Sequence, residues 1–287
     1  MEATKRIEQA LADSLARGEI QGCPPKLAAA TQYAVFPGGA RIRPRLCLAV
    51  GQACGADAPG VLFAAAAAIE LLHCASLVHD DLPCFDDAAT RRGQPSVHAK
   101  FGERIAVLTG DALIVMAFQT LARGAANKPE RLASLLVTIT ESVGMPTGIV
   151  AGQAWECESR VVLAEYQRAK TGALFSAATV AGAEAAGQSA GPWHALGEYI
   201  GEAYQVADDI RDVVGTEESL GKPVGRDAVL GRPSAALELG LEGALNHFER
   251  LVGKAIASIP PCPGAAQLRS LMRSEVNRLL PREYATA

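Results

Sequence analysis

Residues 59–82 read PGVLFAAAAAIELLHCASLVHDDL, and this stretch decides the fold. It is apolar on nearly every side and consists mostly of strong helix formers, so it predicts a buried helix. Pro83 is expected to end that helix near Leu82, because proline cannot continue an α-helix. A helix that is apolar all round is covered by other elements of the same kind, which favours a helical bundle.

The rest of the chain also carries helical periodicity or strong helix formers, and few segments resemble strands. The predicted helices are 2–17, 25–36, 41–54, 59–82, 103–123, 129–143, 146–158, 162–187, 192–216, 233–258 and 264–280. Their connections are short and marked by Gly and Pro, with no linker long enough to separate domains. We therefore expect one all-α domain over residues 1–287.

Composition limits the classes of function. The chain has 27 Lys and Arg against 31 Asp and Glu, so its net charge of −4 gives no basic surface for a nucleic-acid partner. The chain contains no run of about eighteen uncharged apolar residues, so we do not expect a transmembrane segment. The charged N-terminus lacks a signal-peptide pattern, and the seven cysteines show no paired spacing. We expect a cytoplasmic protein with reduced core thiols.

Four aspartates, Asp80, Asp81, Asp86 and Asp87, follow the apolar helix, and no Lys or Arg stands within residues 61–90 to neutralise them. A helix C-terminus disfavours each nearby carboxylate by about 0.3–1 kcal/mol, and such a local conflict is typical of a functional site. Oxygen ligands without a nearby His or Cys cluster favour a hard ion. The stretch therefore predicts a Mg²⁺ site.

The next charged residues, Arg91 and Arg92, extend this prediction from a metal to a phosphate. A guanidinium group is a good bidentate ligand of a diphosphate. A magnesium site beside a phosphate site indicates a phosphorylated substrate bridged by metal. The alternative is a solvated acidic loop followed by a basic one, which is the usual meaning of a charge run.

A second acidic cluster, AYQVADDIRDVVG, contains Asp208, Asp209 and Asp212 in another predicted helix. Asp208 and Asp212 are one turn apart, so their carboxylates share a face and favour a cation between them. Taken alone, this pattern is more often an exposed acidic face. Paired with the first cluster across a bundle, it predicts magnesium ions that hold a diphosphate leaving group.

With both clusters quoted, the sequence resembles the trans-isoprenyl diphosphate synthases over almost its whole length, most of all the geranylgeranyl-producing type of plants and carotenoid-making bacteria. The two aspartate motifs of that family correspond to Asp80-Asp81-x-x-x-x-Asp86 and Asp208-Asp209-x-x-Asp212. The accompanying motifs are Gly38-Gly39-x-Arg41-x-Arg43-Pro44, Leu72-His73, Arg91-Arg92-Gly93, Gly110-Asp111, Gly152-Gln153, Lys170-Thr171-Gly172, Gln205 and Leu220-Gly221-Lys222. The set is specific because independent motifs agree in order and spacing.

The resemblance implies an isoprenoid-synthase helical bundle around a central cavity, a homodimer, and head-to-tail condensation of isopentenyl diphosphate onto an allylic diphosphate. It implies several Mg²⁺ ions that bridge the diphosphate, with the ligands Asp80, Asp81, Asp86, Asp208 and Asp212. It assigns the allylic substrate to Arg91, Lys170, Thr171, Gln205 and Lys222. It assigns isopentenyl diphosphate to Arg43, His73 and Arg92. The catalytic residues would be Asp80, Asp86, Lys170, Thr171 and Asp208.

Two positions near these motifs depart from the family pattern. Ala40 stands where the family usually has a lysine that contacts isopentenyl diphosphate. Either Arg41, Arg45 or Lys26 compensates, or the affinity for isopentenyl diphosphate is weakened. Glu156 replaces the usual aspartate after Gly152-Gln153.

Product length is predicted from the turn before Asp80. In this family the growing tail passes along the helix of the first motif, and the farnesyl-producing members often carry an aromatic ring there. This chain has Ala75 and Ser76, which leave the path open. We therefore expect a twenty-carbon product.

Four alternatives remain open. One is a farnesyl diphosphate synthase. Another is a terpene cyclase, which Asp208-Asp209-x-x-Asp212 disfavours. The third is a non-catalytic partner subunit of a heteromeric synthase, a hypothesis that gains weight from Ala40 and from Gly231-Arg232-Pro233-Ser234, where the family commonly has Lys-x-Thr-Tyr-Pro. The last is a helical interaction protein with two acidic faces.

Overall fold

The computed structural model describes residues 2–36, 38–160, 162–214, 234–281 and 284. Its longer helices are α1 (Glu2–Gly18), α2 (Pro25–Val35), α3 (Ile42–Ala53), α4 (Pro59–Asp80), α6 (Glu103–Gly124), α7 (Leu132–Val143), α10 (Ala173–Ala185), α11 (His194–Val214), α12 (Ala235–Ala257) and α13 (Ala265–Asn277). The shorter helices are α5 (Val97–Phe101), α8 (Ile149–Trp155) and α9 (Leu163–Gln167), with 3₁₀ turns at Pro129–Arg131 and Gly191–Trp193 and a π-helical turn at Arg168–Gly172. Two short antiparallel strands, β1 (Thr90–Arg91) and β2 (Gln94–Pro95), complete the described elements.

The chain divides into two compact units. The first unit comprises Met1–Thr140 and Ala181–Ser189, and the second comprises Glu141–Val180 and Ala190–Ala287.

In the first unit, α4 is the central helix. Its alanine run, residues 64–68, is buried, because small side chains let a neighbouring helix approach closely. One close approach is to α6, where a Cβ atom added to Gly124 would overlap the Ala64 Cβ atom. Ala64, the first residue of the run, thus takes part in a close contact between α4 and α6.

In the second unit, α11 packs against α12 and against the π-helical turn. Its buried side includes Leu196, Ile200, Ala203 and Ile210, which recur at helical spacing. Trp193, at the start of α11, is 3% exposed and packs in the core. This packing fixes the face of α11 that carries the second aspartate motif.

The prediction of an all-α fold is confirmed for the described residues. Nine of the eleven predicted helices occur close to their predicted ends, as far as the described residues extend, since 215–216 and 233 lie outside them. Two exceptions were predicted as continuous helices. The first is 162–187, which contains the π-helical turn Arg168–Gly172, and the second is 233–258, which is interrupted at Gly240, where φ is 69° and ψ is 169°. The prediction also omitted α5 and the two short strands, whose few residues are too short to show a periodic pattern.

Two helices are long and apolar enough to cross a membrane by length and composition, α4 and α6. Each contains an acidic residue near its middle, Glu70 in α4 and Asp111 in α6, so neither is an uncharged apolar run. In α4, 78% of the apolar window is buried in the structure, as in the core helix of a globular protein, whereas in α6 the value is 39%. One or two such helices are weak evidence of a membrane span.

All seven cysteines are free thiols, as the sequence predicts. Cys47, Cys54 and Cys74 are buried core residues. Cys84 and Cys157 are exposed, so the expectation of core thiols is wrong for these two. Both lie in turns rather than in the apolar runs that suggested burial.

Candidate active site

The end of α4 and the loop after it form an acidic turn. The Asp86 N–H donates to the Asp80 carbonyl oxygen at 3.0 Å, and the Ala88 N–H donates to the Asp81 carbonyl oxygen at 3.1 Å. His98 Nε2 lies 3.0 Å from the Ala88 carbonyl oxygen. These hydrogen bonds fold the loop back onto the end of α4, so the Asp86 backbone lies next to that of Asp80.

Within the acidic turn, Asp81 is paired with an arginine. Asp81 is 2% exposed, and Arg91 Nε donates to its two carboxylate oxygens at 3.0 and 3.2 Å, while Arg91 Nη2 also donates to Oδ1. Burial raises the pKa of the Asp81 carboxyl group, and Arg91 opposes that shift. Arg91 Nη2 also lies 3.9 Å from Asp80 Oδ2. The arginine is therefore held directly against the acidic turn.

Positive side chains surround a neutral histidine beside this turn. Arg43 Nη1 lies 3.4 Å from His73 Nε2. Burial, followed by the charges of Arg43, Arg92 and Arg91, holds the pKa of His73 well below its usual range. A Cβ atom on Gly39 would lie 2.8 Å from Arg92 Nη2, so the glycine leaves room for that guanidinium. This arginine cluster is suited to an anion such as a diphosphate.

A cavity of about 50 Å³ lies where the acidic turn meets the arginine cluster. Its lining includes Asp81, Arg91 and Arg92, together with Tyr33 and Ser96. Ser96 is 1% exposed, and its Oγ has no hydrogen-bond partner among the residues that the structure describes. The Ser96 hydroxyl is therefore a neutral polar group in a cavity that is also lined by both acidic and basic side chains.

Arg41 does not belong to this anion site. Its side chain is 1% exposed and lies between two carboxylates, with Nε 2.8 Å from Glu8 Oε1 and Nη1 2.6 Å from Glu70 Oε1. Arg41 Nη2 donates to the Val35 carbonyl oxygen at 2.8 Å. Because the guanidinium is buried in these bonds, Arg41 is not available to replace the lysine missing at Ala40. Of the three expected replacements, Arg45 and Lys26 remain.

In the second unit, Lys170 and Thr171 lie on the π-helical turn Arg168–Gly172. Such turns contain one residue more than an α-helical turn and occur often at functional sites. Thr171 Oγ1 donates to Gln205 Oε1 at 3.4 Å. The structure thus places the Thr171 hydroxyl in contact with the Gln205 amide.

Gln205 is oriented by a residue to which the sequence analysis gave no role. Gln205 Nε2 donates to Asp209 Oδ1 at 3.0 Å, and the Ala235 N–H donates to Asp209 Oδ2 at 2.8 Å. Asp209 is 3% exposed, so it holds the Gln205 amide toward Thr171. The signal in the sequence was the spacing of four residues between Gln205 and Asp209, which places them on one helix face.

The other two aspartates of the second motif lie one turn apart on α11. Arg211 Nη2 lies 3.1 Å from Asp208 Oδ1, and Asp212 is 5% exposed. Within residues 2–36, 38–160, 162–214 and 234–281, no three His, Cys, Asp or Glu side chains are grouped closely enough to hold a metal ion. Lys222 lies outside the described residues, as does the segment 231–233.

The chemistry of the donors nevertheless fits magnesium. Asp80 and Asp86 offer carboxylate oxygens at one folded turn, held there by the backbone bond between them. Asp208 and Asp212 offer the same donor type on one face of α11. Carboxylate oxygens are the ligands that a hard cation prefers, and such ions commonly complete their shell with substrate phosphates.

The Gly152→Ala variant is expected to disturb the π-helical turn. A Cβ atom at this position would lie 2.5 Å from the Lys170 backbone nitrogen and 2.6 Å from its Cα atom. Because the neighbouring atoms are backbone, the turn must shift, with a loss of about 1–3 kcal/mol of stability. Thermal unfolding measures this loss.

Gly253→Ala is the matched control, because this helical glycine in α12 has no atom within 4 Å of an added Cβ. The control is expected to gain about 0.5–1 kcal/mol of stability, as alanine does in a helix. Equal stability of the two variants would contradict the close packing of α8 on the turn.

Comparison with known proteins identifies the family of the chain. Residues 24–259 match the sequence model of the polyprenyl synthetases. The chain belongs to the polyprenyl synthetase family, whose members are metal-dependent.

The chain is also similar to individual proteins of known name and structure. The chain is 55% identical over 281 residues to a geranylgeranyl diphosphate synthase of Cereibacter sphaeroides, covering 98% of each chain. It is 50% identical to the geranylgeranyl diphosphate synthase of Rhodobacter capsulatus, with 98% of this chain and 97% of the relative covered. Among solved structures, a geranyltransferase of Helicobacter pylori in complex with magnesium and isoprenyl diphosphate is 30% identical, with a TM-score of 0.81 and 96% of each chain covered.

Proposed function

We propose that the protein is a Mg²⁺-dependent prenyltransferase that condenses isopentenyl diphosphate head-to-tail with allylic diphosphates and releases geranylgeranyl diphosphate. One observation carries this proposal: the acidic turn and the arginine cluster share one end of α4, joined by the Arg91–Asp81 ion pair. A site with carboxylates for a metal beside guanidinium groups for phosphate suits a metal-bridged diphosphate. The geranylgeranyl diphosphate synthases among the relatives support the choice of product.

The side chains of the first unit would bind the isopentenyl diphosphate. Arg43 and Arg92 would neutralise its phosphates. The depressed pKa of His73 keeps the imidazole uncharged, so it would hydrogen-bond without adding charge. The ligands proposed for magnesium are Asp80, Asp81, Asp86, Asp208 and Asp212. When bound, the ions supply charge stabilisation of the departing diphosphate.

The remaining residues would act on the allylic substrate. Arg91, Lys170 and Lys222 would hold its diphosphate, and the loss of that group leaves an allylic carbocation. The oxygen atoms of Thr171 and Gln205, which lie together in the structure, would stabilise the cation by their dipoles. The isopentenyl double bond then attacks, and the released diphosphate takes the proton that leaves.

A product assay tests the proposal. Purified protein is incubated with Mg²⁺, isopentenyl diphosphate and the five-, ten- or fifteen-carbon allylic diphosphate, with and without chelator. A twenty-carbon diphosphate that disappears with chelator is the expected result. A fifteen-carbon end product would identify a farnesyl diphosphate synthase, and no condensation with any starter would favour the partner-subunit alternative.

The Ala75→Tyr variant is expected to shorten the product mainly to fifteen carbons. Ala75 lies on α4 in the turn before Asp80 and is 1% exposed. A tyrosine ring at this position would fill the path of the growing tail. Chromatography of the dephosphorylated products measures the ratio of chain lengths, and an unchanged ratio would reject Ala75 as the floor of the path.

We propose further that residues 1–287 form one synthase domain, that the chain forms a homodimer and that it works in the cytoplasm. The family match, which runs through residues of both units, supports the single domain. The exposed side of α6 supports the dimer, since Val107, Leu108 and Val115 are 42%, 50% and 55% exposed there. Light scattering in solution would give twice the chain mass of 29.9 kDa for the dimer.

A further inference from the structure

We propose that Glu156 is a positioning residue that, together with Tyr166, holds the Lys170 ammonium group in place for the allylic diphosphate. This inference rests on the proposed function, because Lys170 is given its role there. It adds two residues to the site, one of which departs from the family pattern.

The contacts around the Glu156 carboxylate are short. Lys170 Nζ and the Tyr166 hydroxyl each donate to Glu156 Oε1 at 2.5 Å. Gln153 Nε2 donates to Glu156 Oε2 at 3.0 Å. The ammonium therefore shares one carboxylate oxygen with a phenol, while an amide holds the other oxygen. We call these four residues the Glu156 clamp.

The backbone beneath the clamp is closely packed. Glu156 caps the C-terminus of α8, and the Gly152 position on the same helix touches the Lys170 backbone. The side chains of Lys170 and Glu156 are only 20% and 21% exposed, so solvent screens their attraction less than on an open surface. The distance between them is thus set by the contact of α8 with the π-helical turn.

Positioning matters for a lysine because its four-carbon stem is flexible. Both long basic side chains lose rotamer freedom when they are ordered, and a lysine is less pre-organised than an arginine. A carboxylate that holds Lys170 before the substrate arrives removes part of that ordering cost. A diphosphate bears more negative charge than Glu156 and competes for the ammonium when it binds.

The length of the acidic side chain is linked to Tyr166. An aspartate at position 156 would be shorter by one methylene, about 1.5 Å. From the same backbone position it cannot keep both short contacts that Glu156 Oε1 makes with Lys170 and Tyr166. The hydrogen bond from Tyr166 therefore depends on the longer side chain of Glu156.

Two measurements on Glu156→Gln, Tyr166→Phe, Glu156→Asp and the Glu156→Asp/Tyr166→Phe double variant test the clamp. The first is reductive methylation of Lys170 with formaldehyde, followed by mass spectrometry and normalised to the exposed Lys5. This measurement does not depend on turnover. Methylation of Lys170 is expected to rise several-fold in Glu156→Gln, while Glu165→Gln, which removes an exposed carboxylate on α9, leaves it unchanged.

The second measurement is steady-state kinetics with the allylic diphosphate. Glu156→Gln is expected to lower kcat about 10-fold, since small misplacements of a catalytic group have effects of this order. KM is not expected to rise, because the variant also removes a negative charge that repels the diphosphate. The kcat of Glu156→Asp is expected to lie between those of Glu156→Gln and the wild type. Tyr166→Phe is expected to lower kcat less in the Glu156→Asp variant than in the wild type, because the two side chains are coupled.

The outcomes separate the two proposals. A wild-type protein without condensation overturns the proposed function, and methylation of Lys170 then decides the clamp alone. Unchanged methylation in Glu156→Gln overturns the clamp even if the enzyme is active. Raised methylation with unchanged kcat, or a raised KM with unchanged kcat, shows that the carboxylate does not position Lys170 for the reaction.

Discussion

The Asp80→Asn variant is expected to slow condensation by about 10³-fold while the protein stays folded. Asp80 lies at the end of α4, beside the Asp86 backbone and 3.9 Å from Arg91 Nη2. Asparagine has nearly the same shape but no charge, so it would weaken the binding of a divalent ion that offsets charge on the leaving diphosphate. Removing one such electrostatic group typically costs about 10²–10³-fold in kcat.

Asp87→Asn is the matched control for this variant. Asp87 is exposed on the same loop, and its φ of 45° is a conformation that asparagine tolerates well. The control is expected to keep activity within about threefold, since Asp87 is exposed and is not one of the proposed magnesium ligands. Initial rates at several Mg²⁺ concentrations compare the two, and an Asp80→Asn rate close to that of the control would remove Asp80 from the catalytic residues.

The second large effect concerns stability. Arg41→Met is expected to destabilise the protein by about 3–5 kcal/mol, because it leaves Glu70 as an uncompensated buried charge. Glu70 is 2% exposed and lies in the middle of α4. The change corresponds to a fall of about 10 °C in Tm for a chain of this size.

The Arg41→Met/Glu70→Met double variant is expected to recover most of the loss, since replacing both partners of a buried pair by apolar groups is often neutral. Arg17→Met, at an exposed position on α1, serves as a control for the loss of an arginine. Urea unfolding of the wild type and the three variants gives their free energies of unfolding. A double variant no more stable than Arg41→Met would show that Glu70 is not the source of the effect.

The helices could be predicted from sequence because each segment carries its own helical pattern or strong helix formers. The π-helical turn at Arg168–Gly172 could not, since the surrounding segment is rich in alanine and shows no break in its apolar pattern. An extra residue in a turn changes which carbonyl each N–H meets, and composition does not record that choice.

The sequence motifs point to candidate site residues but not to the partners that these residues have in the structure. Motif order identifies Arg91, but not that its guanidinium is paired with Asp81 in the structure. Arg41 and Arg43 look alike in sequence, yet Arg41 is a buried structural residue and Arg43 lies beside His73. The available signal was Glu70, an isolated acid in the apolar helix, which required a buried cation as its partner.

The π-helical turn also has a meaning for how this chain could have acquired its chemistry. Five residues occupy a segment that an α-helix would span with one fewer, so the turn is equivalent to a single-residue insertion that the helix has absorbed. Each residue of an α-helix advances the side-chain direction by about 100°. One inserted residue can therefore rotate a lysine and a threonine toward a new direction, while the helices on either side keep their contacts. The insertion of one codon could therefore reorient these two side chains without any change to the packing of the core.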